Sequence, residues 1–341
     1  MSAWPAALRV IDFGRVTPLR SQTLWHAVAY GVSGGAPVTL SFARPSAPYV
    51  CLGYLRDAAE VDHDYCRANG LPVFRRMVGG GPVYLDDRQL FFQITLPASA
   101  VSPSRAAALR SMLEPAVAAF RAAGVDAALE DDGEICLGDR KICGHGAGQI
   151  EDAIVVCGNL IEAFDHERAT RVLALPDPVQ RAETLRLMRR YVAATPVDLG
   201  AFRSALIAAY AGALGLRAVP GEISAAELDM VAELDRRFGA ARWLAGPNRA
   251  SEPAGQRRVK IRAGVFTLAA QAPSGATVVA SVVRGTLDRV VLAAPGGDGP
   301  AREAERSLAG LPLAAAASVL AQLGDDGREL AAALAGAEGR P

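Results

Sequence analysis

Lysine is almost missing from this sequence: of 36 basic residues in 341, only Lys141 and Lys260 are lysines and the others are arginines. Such an arginine- and alanine-rich composition reads as coding bias, so a lysine that persists invites a functional question. No sign of charge is in excess, with 36 basic against 36 acidic residues. That leaves no broad electrostatic footprint for nucleic acid or an acidic membrane. Cysteine is sparse and odd in number, at positions 51, 66, 136, 143 and 157, with no CxxC pair, so nothing reads as a disulfide framework. The longest apolar run, around 311–323, is too short and too interrupted to span a bilayer. The N-terminus lacks a basic region followed by an apolar one. The expectation is a cytoplasmic protein with reduced thiols. Its 51% apolar residues suffice for a core, and its length suits one or two domains.

What is present is glycine, concentrated in one place. The stretch 75–86 reads Arg-Arg-Met-Val-Gly-Gly-Gly-Pro-Val-Tyr-Leu-Asp. Two arginines end an apolar run, three glycines follow at 79, 80 and 81, and Val83, Tyr84 and Leu85 read as a strand. Glycine tolerates positive φ and lets a ligand approach the backbone. A turn of this kind presents N–H groups to an anion, and arginine offers a planar fork for carboxylate or phosphate. The same residues also read as a glycine turn in a hairpin with two surface arginines. A second stretch, 138–144, reads Gly-Asp-Arg-Lys-Ile-Cys-Gly.

The remaining pattern predicts strands at 8–13, 38–42, 49–52, 90–96 and 154–160. A helix starts at Ser102-Pro103, carries Leu109, Leu113, Val117 and Phe120 on one face, and ends at Gly124. Segments 134–137 and 140–143 read as two strands joined by Gly138-Asp139, and 167–174, 178–190, 200–215 and 225–239 have helical spacing. After a linker-like stretch, 246–255, strands are expected at 258–270, 276–283 and 287–293, then a loop at 295–300 and helices at 301–309 and 313–337. Asp62, His63, Asp64 and Cys66 read as a solvated helix face, because adjacent helical residues point apart.

Together the two glycine-flanked stretches resemble the lipoate-protein ligase family. Its pattern is Arg-Arg-x-x-Gly-Gly-Gly-x-Val-(Tyr/Phe)-His-Asp followed by Gly-x-(Arg/Lys)-Lys-Ile-x-Gly. The resemblance implies an α+β fold: a mixed β-sheet with flanking helices, placed on one side, as a catalytic domain over 1–245, and a small α+β accessory domain over 246–341. It implies that lipoate is activated by ATP, with Mg²⁺, to lipoyl-AMP. The lipoyl group then passes to a lysine of an acceptor domain: an E2 subunit, the glycine-cleavage H protein or a specialised lipoyl carrier. The difficulty is bringing a carboxylate to a polyanionic triphosphate, which a fixed cation relieves. Lys141 sits where the family's essential lysine sits. Arg76 would steer the phosphate or carboxylate with Arg75 as helper, one of the two being a surface charge. Gly79, Gly80 and Gly81 would supply N–H groups, and Val83, Tyr84 and Leu85 would run beside the adenine. Asp86 matches the family's aspartate and reads equally as a turn cap. Glu134 reads either as a Mg²⁺ ligand or as an ion pair with Lys141. Gly144 closes the lysine motif, Asn159 stands where the family has Thr, and Cys51-Leu-Gly-Tyr54 falls at the acyl pocket.

The sequence departs from the family in places. Leu85 and Cys157 replace histidines, His145-Gly146 replaces Ser-Ala, and the helix from Thr23 lacks an acidic pair. Related octanoyltransferases use a cysteine thiolate and no ATP. Their nucleophile lies upstream of the motif lysine, in a region that is here 124–132 and holds no cysteine. A non-catalytic binder of lipoylated proteins is a further reading, and biotin ligase, with its Gly-Arg-Gly type motif, a more distant one.

Overall fold

In the strand Gln89–Pro97 every residue up to Leu96 is buried, and its two faces differ in kind. Leu90, Phe92, Ile94 and Leu96 enter a core shared with Leu40, Phe42, Leu113, Phe120 and Phe202. Gln89, Gln93 and Thr95 alternate with them on the opposite face, as strand geometry requires, and the Ser41 hydroxyl donates to Gln93 Oε1 at 2.9 Å. The computed structural model that shows this describes residues 7–102, 104–131, 133–246, 256–293, 299–322 and 324–338. Pro103 of the expected helix start, the linker-like stretch beyond 246 and most of the loop 295–300 lie outside the described residues.

Gln89–Pro97 lies inside a six-stranded mixed sheet. The order is His145–Ile150, Ala153–Ile161, Gln89–Pro97, Thr39–Pro45, Ala7–Val16, Arg217–Pro220. The first four pair antiparallel; Ala7–Val16 runs parallel to both its neighbours. One face carries the helices Arg105–Ala122 and Leu199–Leu214. In the second, Phe202, Leu206 and Tyr210 form the buried stripe, and the Tyr210 hydroxyl donates to the Met112 carbonyl at 2.8 Å. Helix Arg20–Ser33 covers the other face, packing Trp25, Val28, Ala29 and Val32 on Ile11 and Val155. The expectation of helices on one side is therefore corrected: a strand whose two faces are both buried needs a layer on each.

Two small sheets carry the motifs. Tyr49–Leu52 pairs with Val73–Arg75 in parallel and with Val83–Leu85 antiparallel. The glycine stretch is thus not a hairpin turn. The strands it joins flank Tyr49–Leu52 on opposite sides, so residues 76–82 cross over from one side to the other. In the second small sheet Ile135–Leu137 pairs with Ala127–Leu129 and with Arg140–Lys141, and Gly138, at φ +58°, makes the tight reversal before Lys141.

The described chain clusters into two compact units. One holds the residues up to Asp165 together with those from Ala193 to 246; the other holds His166–Val192 and the residues from 256 onward. The second unit is an antiparallel meander of Gln256–Arg262, Val265–Gln271, Thr277–Val283 and Thr286–Ala293. The single run expected at 258–270 is broken by Gly264, at φ +68°. Helix Pro178–Tyr191 packs on this meander, with Thr184 and Thr267 hydroxyls 2.9 Å apart. Gly299–Leu308, Ala316–Ala321 and Asp325–Glu338 add Leu308, Leu320 and Leu334 to its core. The helix expected over 313–337 is interrupted, with Gly324 at φ +83°. Among the described residues no helix is long and apolar enough to cross a membrane.

Candidate active site

Arg75 ends its strand fully buried. Its guanidinium donates to the carbonyls of Gly53, Tyr54 and Arg56 at 3.2, 2.7 and 2.6 Å, and to that of Leu244 at 3.1 and 2.7 Å. Arg76 is half-buried and turns onto the glycine loop: it donates to Cys51 O at 2.9 Å, to Gly79 O at 2.7 and 3.1 Å, and to Gly81 O at 3.1 Å. Neither arginine is the surface charge expected of one of them. Arg75 braces backbone; Arg76 shapes the loop from within. Gly80 adopts φ +97°, and a Cβ there would meet Arg76 Nη2 at 2.6 Å. The loop also covers the free edge of the six-stranded sheet, where Gly79 N–H reaches Ala147 O at 3.5 Å. Gly146 and Gly148 permit this approach, since a Cβ on Gly148 would lie 2.9 Å from Val78 Cγ1.

That edge strand, His145–Ile150, begins directly after the lysine motif, and the glycine loop meets it at Gly146, Ala147 and Gly148. Lys141 Nζ donates to Glu134 Oε1 at 2.9 Å, with the lysine side chain 19% exposed and the glutamate 5%. Behind it, Ala193 N–H donates to the Lys141 carbonyl at 2.9 Å. Asn159 fixes the chain on the other side: Gly144 N–H donates to Asn159 Oδ1 at 2.6 Å, and Asn159 N–H to Gly144 O at 3.2 Å. Asn159 Nδ2 in turn donates to Gln89 Oε1 at 2.8 Å. Asn159 is thus placed to position the lysine segment. Gln89, which orients Asn159, carries no motif signal; only the polar face of its strand hints at it.

Val83 is exposed, Tyr84 buried and Leu85 half-buried, paired with Cys51, Val50 and Tyr49 respectively. Leu85 packs beside Tyr49, Cys51 and Phe91. Asp86 is buried and accepts from Arg88 N–H at 3.0 Å and from its guanidinium at 2.9 Å; the contacts it makes are those of a turn cap. Asp62 caps its helix on Tyr65 N–H, and His63 Nε2 lies 2.9 Å from Ala58 O, so neither joins a ligand set.

Thiol chemistry finds little support in the environment. Burial pushes the Cys143 thiol up to about 12 despite neighbouring Lys141. Burial likewise raises Cys51 and Cys157, although Arg76 pulls both in the opposite direction. Cys66, on its separate helix, is pushed up to about 11. A thiol held protonated is a poor nucleophile.

Residues 20–210 match the family model described as the lipoyl protein ligase A/B catalytic domain. The chain belongs to this family. It is 25% identical over 267 residues to the octanoyltransferase LipM of Moorella thermoacetica, covering 69% of this chain and 97% of that protein. It is 27% identical over 213 residues to lipoate-protein ligase A subunit 1 of Thermoplasma acidophilum, covering 58% and 80%. The solved bi-partite lipoate protein ligase of Thermoplasma acidophilum, described together with its E2 lipoyl domain, superposes with a TM-score of 0.64 at 25% identity over 72% of this chain and 99% of that one. The matched residues include most of the mixed sheet and both glycine-flanked stretches, and the chain is an enzyme of the ligase and octanoyltransferase group.

Proposed function

We infer that this chain is an ATP-dependent lipoate-protein ligase. The reading is carried by Lys141, one of two lysines in the chain, held by Glu134 at 2.9 Å in the motif that leads into the strand the glycine loop covers. In the first step the lipoate carboxylate attacks the α-phosphorus of ATP; an acyl–phosphate bond forms as the bond to pyrophosphate breaks. Both partners are anionic, and the Lys141 ammonium and Arg76 guanidinium offset their repulsion. Glu134 accepts one of the three ammonium N–H groups and leaves the others for carboxylate and phosphate oxygens. In the second step an acceptor lysine attacks the acyl carbon; the amide forms, AMP leaves with its electron pair, and the amine proton goes to solvent.

Mg²⁺ takes carboxylate, phosphate and water oxygens. Glu134 is buried against Lys141, and no group of three His, Cys, Asp or Glu residues placed for a metal occurs among the described residues. A Mg²⁺ carried in on a nucleotide needs only one or two protein carboxylates. Mg²⁺ would arrive on the nucleotide's phosphates, and Glu134 is assigned to Lys141. A lipoyl domain is the natural acceptor, as in the Thermoplasma ligase described with its E2 lipoyl domain.

The test is mass spectrometry of a lipoyl acceptor domain after incubation with lipoate, ATP and Mg²⁺, with Lys141→Ala in parallel. The acceptor should gain lipoyl mass only with ATP and only with Lys141 present. A second reading, octanoyl transfer through a cysteine, is favoured by relatives named octanoyltransferase LipM. It predicts the reverse: modification from octanoyl-carrier protein without ATP, and none from free lipoate. No modification in either assay, over several acceptors, would leave a binding protein.

A further inference from the structure

Arg76 is gripped through the backbone on both sides by side chains distant in sequence. The carbonyl before it, that of Arg75, accepts the Trp243 indole N–H at 2.9 Å. The amide after it, that of Met77, donates to His26 Nε2 at 3.0 Å. Phe238 joins the two grips: Trp243 lies parallel to it, with centroids 5.3 Å apart and planes 4° apart, and His26 meets it edge-on at 4.8 Å and 87°. His26 comes from helix Arg20–Ser33, Phe238 from Ala225–Phe238 and Trp243 from Ala241–Ala245. Three separate helices therefore converge on the two peptide units that bracket one arginine.

The chemistry at each grip is specific. His26 Nδ1 lies 2.7 Å from the Gln22 carbonyl, which can only accept, so Nδ1 carries the proton and Nε2 is left as acceptor for Met77 N–H. Burial pulls the His26 pKa down to about 3, and the ring stays neutral through the physiological range. A residue needed only for apolar filling at this fully buried position would be leucine or phenylalanine. An imidazole there satisfies an amide of irregular chain that no ladder partner reaches. Trp243 is further held by the Arg237 guanidinium, 4.2 Å from its ring centroid.

We propose that His26, Phe238 and Trp243 are positioning residues for Arg76: by fixing the carbonyl before it and the amide after it, they hold its guanidinium on the Gly79 and Gly81 carbonyls and so set how the glycine loop meets the anionic substrate. The proposal rests on the ligase reading only in naming that anion as the acyl carboxylate or the phosphate. Trp243→Phe removes the indole N–H and keeps the ring. His26→Leu removes the acceptor, while His26→Gln places an amide oxygen near the position of Nε2. Hydrogen exchange of peptides spanning 75–81 is measured for each, beside lipoate-dependent ATP–pyrophosphate exchange. Trp243→Phe and His26→Leu should each speed amide exchange in 75–81 and raise the KM for lipoate by about fivefold, the worth of one lost hydrogen bond, with kcat within about twofold and the thermal midpoint kept; His26→Gln should recover most of both. If wild type shows no ATP-dependent exchange, the ligase reading fails, and the amide-exchange arm decides the positioning role alone. Unchanged exchange in 75–81 in a folded Trp243→Phe protein overturns the proposal, as does a KM increase in His26→Leu that His26→Gln does not reverse.

Discussion

At the scale of single residues, His26 carries a cost that pH exposes. Its pKa falls from an ordinary 6.5 to about 3, first because of burial and then because Arg76 and Arg237 are near, with the Gln22 carbonyl opposing. The depressed value belongs to the folded state. Below pH 6.5 the unfolded chain takes a proton that the folded chain refuses, so the stability tied to neutral His26 is fully present above 6.5 and drains away as pH falls toward 3. Between about pH 7.5 and about pH 5.5 this removes about 1.4 kcal/mol. Urea unfolding followed by tryptophan fluorescence suits the measurement, because Trp25 stacks on His26 and Trp243 is joined to it through Phe238. His26→Gln should lose stability by about 1.4 kcal/mol less over that interval. Equal losses in the two proteins would place the imidazole in contact with solvent.

At the scale of elements, the crossing loop 76–82 depends on close approach. A Cβ on Gly53 would stand 1.9 Å from Gly80 O and 2.9 Å from Gly80 C, both backbone atoms of the loop. Gly81, by contrast, has nothing within 4 Å of such an atom. Gly53→Ala should displace the loop and lower the rate of acyl adenylation by about 10²-fold, while Gly81→Ala should stay within about threefold, a change of under 1 kcal/mol. Similar rates for the two variants would show that the loop's position does not govern the chemistry. Much of this region is legible in sequence: Tyr49–Leu52 is expected as found, the glycines mark the loop, and the aromatic and β-branched residues of 90–96 mark the buried strand. What side chains hold across long separations is not. Arg75 and Arg76 look alike in a motif, yet Arg75 reaches the Leu244 carbonyl, 169 residues away, and Arg76 the Gly79 carbonyl, three away. Trp243, which no motif marks, bonds the carbonyl of the motif's first arginine. The edge strands His145–Ile150 and Arg217–Pro220 also escape a reading of periodicity, being short or glycine-rich.

At the scale of the whole molecule, the chain passes between its two units more often than one boundary near 245 would allow. Helical spacing over 178–190 predicts the helix but not the sheet it covers, since spacing does not name the element a helix packs on. Pro178–Tyr191 buries Gln180, Glu183, Thr184, Leu187 and Tyr191. Its partners lie in the meander: the Glu183 carboxylate accepts from the Ser281 hydroxyl and the Arg289 guanidinium, each at 2.8 Å, and Gln180 Nε2 donates to the Arg257 carbonyl at 2.9 Å. A fragment ending at 246 would keep this helix and lose the meander. Glu183 would then keep Arg186 at 2.9 Å but surrender both partners on the sheet, and Gln180 and Thr184 would lose theirs. The fragment should bind 8-anilinonaphthalene-1-sulfonate where the full chain does not, because contiguous apolar surface is exposed. Its thermal midpoint should fall by at least about 5 °C, the equivalent of a few kcal/mol for a chain of this size. A fragment that stays dark to the dye and melts with the full chain would assign the helix to the first unit and restore a single boundary near 245. A fragment that binds the dye and melts lower would mean that 166–192 belongs with the smaller unit as its covering layer.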